Sequence, residues 1–243
     1  MAVLVTRPYP DNEATAHALR ARGFEVALAP MLRFEPMALS DDLNADYGAV
    51  IVTSANALRA IEAKLAQSAL LELPLFAVGD RTASVARSLG FAEVISAEGD
   101  ASALRDCVLA GAKRLKKERP LLHLAGADLS GDLASDFAAH GLDVATIVTY
   151  RMTMVSRLPH QALDAFAANQ IEAVLHYSQR SAHAFLEAAR SDGVEISALS
   201  VLQCCLSANV ALPLRDAGAT QVQVAASPDE NALFAALERA LRG

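Results

Sequence analysis

The sequence predicts an α/β protein in which parallel strands form sheets that carry helices on both faces. Two observations lead to this prediction. Short runs of Val, Ile and Leu alternate along the chain with Ala-rich segments of helical character. In addition, a glycine that can end a helix in the left-handed conformation precedes several of the predicted strands, at Gly23, Gly90, Gly141 and Gly218.

The composition is typical of a globular protein. The 243 residues are 53% hydrophobic and 20% charged, and the net charge is −7. A disordered chain would combine low hydrophobicity with a high net charge, and a nucleic-acid-binding module would normally be positively charged. There is no apolar stretch long enough to span a membrane, and the N-terminal segment does not resemble a secretory signal. We therefore expect a cytoplasmic protein that binds neither nucleic acid nor a membrane.

The sequence does not indicate a metal or an organic cofactor. The three cysteines, Cys107, Cys204 and Cys205, are too few for a disulfide framework, and the adjacent pair lies in an apolar run typical of buried residues. Neither a CxxC nor an HExxH spacing is present, and no glycine-rich phosphate loop occurs. We therefore expect no metal.

The chain contains two kinds of internal repeat. A short repeat of strand, helix and strand covers residues 3–30 and aligns without a gap with residues 121–148. A long repeat, which contains three strands, begins at Tyr47 and again at Ile171. The order along the chain is therefore short, long, short, long.

One short and one long repeat together supply five strands, whereas a two-stranded sheet alone is only marginally stable. The residues leave two pairings open. Either the middle repeats, about residues 38–147, form a continuous domain and the outer repeats a discontinuous one, or the chain divides in tandem near residue 115. The basic segment 111–120 is a linker or a solvated loop. Two further segments, 31–37 and 149–156, follow the short repeats and can pair as a two-stranded connection.

Five motifs occur in a fixed order along the chain: VLVTRP, VIVTSANAL, AVGDRTA, TYRM and SPDENAL. In order and spacing they resemble the uroporphyrinogen-III synthase family over almost the whole chain. The resemblance implies two doubly wound five-stranded parallel-sheet domains joined by a two-stranded linker, and it selects the discontinuous pairing. The implied bounds are residues 1–31 plus 155–243 for domain 1, 38–147 for domain 2, and 32–37 and 148–154 for the linker strands.

The resemblance also implies a reaction. The family converts hydroxymethylbilane, a linear tetrapyrrole, to uroporphyrinogen III with loss of water and inversion of the last pyrrole ring, and it uses no cofactor. The chain is thus expected to be a lyase of haem biosynthesis that acts on a small-molecule substrate. We further expect a monomer. One alternative is a non-catalytic two-domain binder of a small anionic ligand. Another is a nucleotide-binding enzyme, which the absence of a glycine-rich loop after the first strand disfavours.

Candidate substrate-binding residues follow the predicted strands, where doubly wound sheets bind ligands and where helix N-termini hold anions. The substrate implied by the resemblance carries eight carboxylates, so local donors must overcome the negative charge of the chain. The candidates are Arg7, Ser54, Asn56, Thr82, Ser178, Ser181, Ser207 and Asn209. The alternative role is a helix cap for the Ser, Thr and Asn residues and a surface ion pair for Arg7.

Tyr150 is predicted to be the catalytic residue because it matches the tyrosine of the family's TVY motif. A phenol can donate a proton or a hydrogen bond to the departing hydroxyl, and a positioned acid contributes about 10² to 10⁴ in rate. The alternative is an aromatic side chain that only packs at a domain junction. Two departures from the family are visible: Val210 stands where a threonine is usual, so that Asn209 is expected to substitute, and AGADLSGD lacks a basic residue often found there. Tyr177 is a second phenol without a strong family match.

Overall fold

A computed structural model of the chain describes residues 1–39, 43, 45–66, 68–111, 115, 119–129 and 131–242. Most of the basic segment 111–120 therefore lies outside the described residues. The chain divides into two compact units: unit 1 contains Met1–Phe34 and Thr153–Gly243, and unit 2 contains Glu35–Met152. Helices pack on both faces of two largely parallel sheets, so the predicted α/β class with parallel sheets is confirmed.

The first sheet has five parallel strands and lies in unit 1. In spatial order they are β11 (Val222–Val224), β10 (Leu202–Cys205), β9 (Ile171–His176), β1 (Ala2–Val5) and β2 (Glu25–Leu28). From β1 the chain adds β2 on one side, whereas β9, β10 and β11 follow on the other. The order thus reverses between β1 and β9, which is where doubly wound sheets bind ligands.

Helices cover both faces of this sheet because successive strand residues point to opposite sides. Val3 packs in the same core cluster as residues of the first and last helices, and Leu4 packs in the cluster on the opposite face. The helices on the Val3 face are α1 (Asp11–Ala21) and α10 (Glu230–Arg242). Those on the Leu4 face are α6 (His160–Ala167), α7 (Gln179–Ser191), α8 (Glu195–Ser200) and α9 (Ala208–Asp216).

The second sheet has six strands. In spatial order they are β3 (Leu32–Pro36), β8 (Val144–Met154), β7 (Leu121–Gly126), β4 (Ala49–Val52), β5 (Leu75–Ala77) and β6 (Val94–Ser96). The strand order reverses between β4 and β7, since β5 and β6 follow β4 on one side and β8 lies beyond β7 on the other. The boundaries between the two units fall inside β3 and β8.

This six-stranded sheet differs from the predicted five strands and separate linker. β8 does not end near residue 147 but continues without a break as one strand of 11 residues. Its neighbour β3 is antiparallel to it, as the hydrogen bonds from Met37 N to Thr149 O (2.8 Å) and from Val155 N to Met31 O (3.0 Å) show. The unbroken extended backbone of β8 offers an unpaired edge, and β3 satisfies those backbone groups by joining the sheet.

Helices also cover both faces of the second sheet. The helices on one face, α2 (Ala55–Leu65) and α3 (Asp80–Ser88), pack against Val50 and Leu122. Those on the other, α4 (Ala101–Gly111) and α5 (Leu133–Ala138), pack against Ile51. A 3-10 helix spans Ala69–Glu72.

The four glycines predicted to end helices have φ angles between 73° and 96°, in the left-handed region. The adjacent cysteines, Cys204 and Cys205, are fully buried core residues, as the apolar run around them predicts. Burial raises the pKa of each of these two thiols to about 12, so both stay protonated and unreactive near neutral pH.

Candidate functional site

Polar side chains gather at the carboxyl ends of the strands in each unit. In unit 1 they form the Arg7 cluster, which we define as Arg7, Thr15, Tyr177 and Glu230. In unit 2 they line the Tyr150 pocket, which we define by Thr53, His123, Gly126, Asp128, Asp132, Asp136 and Tyr150. Each group lies where the strand order of its sheet reverses.

The Arg7 cluster is built around one carboxylate oxygen. Arg7 follows β1 and Tyr177 follows β9, and the guanidinium carbon lies 4.6 Å from the centre of the Tyr177 ring. Oε1 of Glu230 accepts hydrogen bonds from Thr15 Oγ1 at 2.6 Å, from Tyr177 Oη at 2.9 Å and from Arg7 Nη1 at 3.0 Å. Arg7 Nη2 also lies 3.5 Å from Oδ2 of Asp11. Three donors therefore hold an acidic side chain at the first residue of α10.

This arrangement places a carboxylate of the protein itself on Arg7, where the sequence predicts a substrate carboxylate. The Arg7 side chain is 20% exposed, so the ion pair is partly buried. Burial raises the pKa of the Tyr177 phenol far above its usual value, and the charge of Glu230 adds to this effect. Tyr177 thus remains a hydrogen-bond donor. Sequence reasoning missed Glu230, which is 223 positions from Arg7, and gave Tyr177 little weight although it directly follows β9.

The other candidates of unit 1 lie at helix starts. Ser178 is the N-cap of α7: its Oγ accepts from Ser181 N at 3.1 Å, and Ser181 Oγ accepts from Ser178 N at 3.3 Å, which completes a capping box. Ser207 is the N-cap residue of α9, and Asn209 is exposed in the first turn of that helix. Val210 is 5% exposed and packs in the core, so this position contributes packing instead of a hydrogen bond.

The candidates of unit 2 follow the same pattern. Ser54 is the N-cap of α2, and its Oγ accepts from Asn56 N at 3.3 Å. The Asn56 side-chain oxygen accepts from Arg59 Nη1 at 2.8 Å, and Thr82 is buried in the first turn of α3. These three candidates are absent from the described lining of the Tyr150 pocket. Of all the predicted site residues, only Tyr150 lines it.

The Tyr150 ring lies directly against the backbone of Gly126. The β7–β8 register shifts at this point, so that Gly126 pairs with Tyr150, and Ala127 N donates to Tyr150 O at 2.8 Å. A Cβ atom on residue 126 would lie 2.7 Å from Cζ of the tyrosine and 2.9 Å from its hydroxyl oxygen. Only glycine leaves room for the ring in this position. The sequence contains no signal for this contact beyond the glycine itself.

The charged side chains that line the Tyr150 pocket are acidic. Asp128, Asp132 and Asp136 contribute carboxyl groups, and the described part of the lining contains no Lys or Arg. Hydrogen bonds from the side chain and backbone of Ser135 lower the pKa of Asp132, which keeps that carboxyl ionised. A carboxylate would therefore be repelled from this pocket. Its volume of about 100 Å³ admits a small group such as a hydroxymethyl arm.

His123 lies in the wall of the same pocket and is 3% exposed. Burial lowers its pKa, so the imidazole is neutral near pH 7. Its Nδ1 is 3.4 Å from Thr146 Oγ1, and no described residue makes a hydrogen bond to its Nε2. Sequence analysis did not select His123 because a single histidine inside an apolar strand indicates only a core position.

The described residues contain no group of three or more His, Cys, Asp or Glu side chains that could hold a metal ion. None of the described helices is both long enough and apolar enough to cross a membrane.

Comparisons with known proteins identify the family. The family model for uroporphyrinogen-III synthase HemD matches residues 13–235. The fold is similar to that of uroporphyrinogen-III synthetase from Helicobacter pylori, with a TM-score of 0.63, 18% identity, and coverage of 99% of this chain and 98% of that chain. It is also similar to a mutant uroporphyrinogen III synthase from Thermus thermophilus, with a TM-score of 0.57, 15% identity, and coverage of 100% and 99%. Among curated proteins, no sequence matches this chain. Because the family match extends over most of its length, the chain belongs to the uroporphyrinogen-III synthase family of cofactor-independent lyases, as the resemblance predicts.

Proposed function

We propose that this enzyme converts hydroxymethylbilane to uroporphyrinogen III, with loss of water and inversion of the last pyrrole ring. The observation that carries the proposal is the family match over residues 13–235. The Tyr150 pocket lies where the strand order of the second sheet reverses, and this position supports the proposal. We also propose that the enzyme acts as a monomer in the cytoplasm.

The domain layout is part of the proposal. Residues 1–31 with 155–243 form one domain, residues 38–147 form the other, and residues 32–37 and 148–154 connect them. The division of the chain into two compact units supports this layout, since its boundaries after residues 34 and 152 fall inside the proposed connecting segments.

Tyr150 assists departure of the hydroxyl group. The C–O bond of the hydroxymethyl arm breaks with help from the electron pair of the pyrrole nitrogen. If the phenol transfers its proton to the departing oxygen, water leaves and a phenolate remains; if the phenol only donates a hydrogen bond, the departing hydroxide takes its proton from solvent. The remaining azafulvene cation is positively charged, and the carboxylates of Asp128, Asp132 and Asp136 favour that charge. The same carboxylates keep the acidic arms of the substrate out of the pocket.

Donors at helix starts hold the acidic arms. The first backbone N–H groups of a helix and its dipole attract anions, and Ser178 and Ser207 mark such starts in unit 1. Ser181 and Asn209 lie within the following first turns. In unit 2 the corresponding residues are Ser54, Asn56 and Thr82. Arg7 is a further proposed donor, and it reaches a substrate carboxylate by exchanging Glu230 for it.

The main contribution of the enzyme is geometric. Because the electron-rich pyrrole expels its own leaving group readily, the enzyme has to determine which carbon of the last ring is attacked. Orientation of reacting groups can supply several kcal/mol, about 7 to 11 in well-oriented intramolecular reactions. Single substitutions among the anion-binding residues are then expected to change turnover only modestly.

An isomer assay tests the function. Purified protein is mixed with freshly prepared hydroxymethylbilane, the products are oxidised to porphyrins, and the type I and type III isomers are separated by chromatography. We expect the type III isomer in excess, whereas heat-inactivated protein leaves only type I, the product of uncatalysed closure. If the unheated protein also yields only type I, the proposed synthase function is wrong and a binder of a small anionic ligand is favoured.

A further inference from the structure

Unit 1 contains a cavity that is separate from the Arg7 cluster. It has a volume of about 490 Å³ and lies beside the start of β3 and the segment that follows β8. We call it the Phe34 groove and define it by Tyr9, Leu32, Arg33, Phe34, Arg157 and Leu158. None of these residues is among the catalytic or substrate-binding residues proposed above.

The lining of the Phe34 groove suits an aromatic ligand. Two aromatic side chains, Tyr9 and Phe34, line it together with two aliphatic ones, Leu32 and Leu158. The Tyr9 residue is 70% exposed, which is unusual for a large aromatic side chain. Ligand pockets of about 300 to 1,000 Å³ are typically apolar and contain a small number of polar groups that set orientation.

The polar groups of this groove are two guanidinium groups. Arg157 Nη1 pairs with Asp192 Oδ1 at 2.6 Å, and the other oxygen of Asp192 accepts from Leu158 N at 2.8 Å. Asp192 is 5% exposed, and its carboxylate holds both the Arg157 side chain and the backbone of Leu158 in place. The Arg157 side chain itself is 70% exposed, and most of it therefore faces solvent. Arg33 is the second guanidinium of the lining.

This combination selects a ligand by its chemistry. In a chain of net charge −7, an apolar groove with two arginines fits an aromatic ring that carries carboxylates. Eight carboxylates on four rings give two per pyrrole, which equals the number of arginines. We propose that the Phe34 groove binds one pyrrole ring of the tetrapyrrole, with the ring against the apolar wall and its two carboxylates on Arg33 and Arg157. The identity of this ligand rests on the proposed function.

A single-ring probe tests the groove directly. Pyrrole-3-acetic-4-propionic acid carries both acidic arms on one ring, and its dimethyl ester has the same ring without charge. We expect the diacid to cause saturable NMR shifts in the backbone amides around Phe34 and Leu158, and the ester to bind at least 10-fold more weakly. Shifts confined to other parts of the chain would overturn the proposal.

Variants separate the arginines from general charge effects. Arg33→Ala and Arg157→Gln should each weaken binding of the diacid about 10-fold or more, as expected for loss of a charged hydrogen bond. Glutamine at 157 keeps a donor for Asp192 and so protects the fold. Arg20→Ala, an exposed position on α1, removes the same charge elsewhere and should leave binding unchanged. Equal losses in all three variants would contradict the proposal.

Enzyme kinetics distinguish this proposal from the function itself. In Arg33→Ala we expect KM for hydroxymethylbilane to rise about 10-fold, while kcat and the excess of type III isomer are kept. If the wild-type enzyme makes type III and Arg33→Ala has the same KM as the wild type, the groove proposal is wrong and the proposed function stands. A protein that binds the diacid in the groove but makes only type I supports the groove and refutes the synthase.

Discussion

Replacement of Gly126 by alanine tests whether the placement of the Tyr150 ring controls turnover. The backbone of Gly126 does not have a positive φ, so alanine fits the conformation of the chain there. The three atoms nearest to an added Cβ all belong to the tyrosine. A Cβ atom on residue 126 would lie 2.7 Å from Cζ and 3.0 Å from Cε1 of the Tyr150 ring.

The size of the effect follows from these distances. The closest approach is about 0.7 Å short of the 3.4 Å at which ordinary van der Waals contact begins, so the ring must move by about that distance. A misplacement of about 1 Å at a catalytic group can lower a rate about 100-fold. Overpacking also costs about 1 to 3 kcal/mol of folding free energy. We therefore expect Gly126→Ala to fold with reduced stability and to lose about 10- to 100-fold in kcat.

The measurement is the rate of type III isomer formation at saturating hydroxymethylbilane, together with urea unfolding of the same samples. Gly131→Ala is the matched control, because nothing lies within 4 Å of a Cβ there and the pocket is the same. In a Tyr150→Ala background, Gly126→Ala should have little further effect, since the ring it displaces is gone. Wild-type kcat in Gly126→Ala, or an equal loss in Gly131→Ala, would show that the reasoning is wrong.

Three further predictions concern single side chains. Tyr150→Phe should lower kcat about 10²- to 10⁴-fold, whereas Ser54→Ala should cost only about 1 kcal/mol of stability through its lost cap; similar kcat losses would remove the special role of the phenol. Burial lowers the pKa of His176 to about 4 from its usual 6.5. As the pH falls, the unfolded chain therefore binds the proton before the folded chain does. The contribution of His176 to the free energy of unfolding is fully present above pH 6.5 and is lost progressively below it. Urea unfolding should therefore give a free energy of unfolding about 2 kcal/mol lower at pH 5 than at pH 7. A His176→Gln variant should lack most of this difference. Glu230→Gln should lower the unfolding free energy by about 1 to 3 kcal/mol, and Glu238→Gln, in a more exposed ion pair, by under about 1 kcal/mol; equal values would contradict the special role of the three-donor site.

The Arg7 cluster shows which part of a site can be predicted. The position of Arg7 after the first strand was sufficient to place it at a ligand-binding end of the sheet. Its partners were not predictable, since Tyr177 and Glu230 come from the last third of the chain and reach Arg7 only when β9 pairs with β1. The prediction for the serines was limited in a different way. A serine at a helix start is compatible with both a cap and an anion site, and Ser54 and Ser178 do act as caps.

The α/β class, the order of strands and helices, the repeats and the family could all be predicted from the sequence. These properties depend on burial patterns and turn residues that recur within short stretches, so each stretch carries its own evidence. The folded coordinates were needed to find that β3 joins the second sheet as an antiparallel edge and that Gly126 makes room for Tyr150. They were also needed to find that the Glu230 carboxylate pairs with the Arg7 guanidinium. Such contacts join residues that are distant in the chain, and their energy depends on ångström-scale positions that no local pattern encodes.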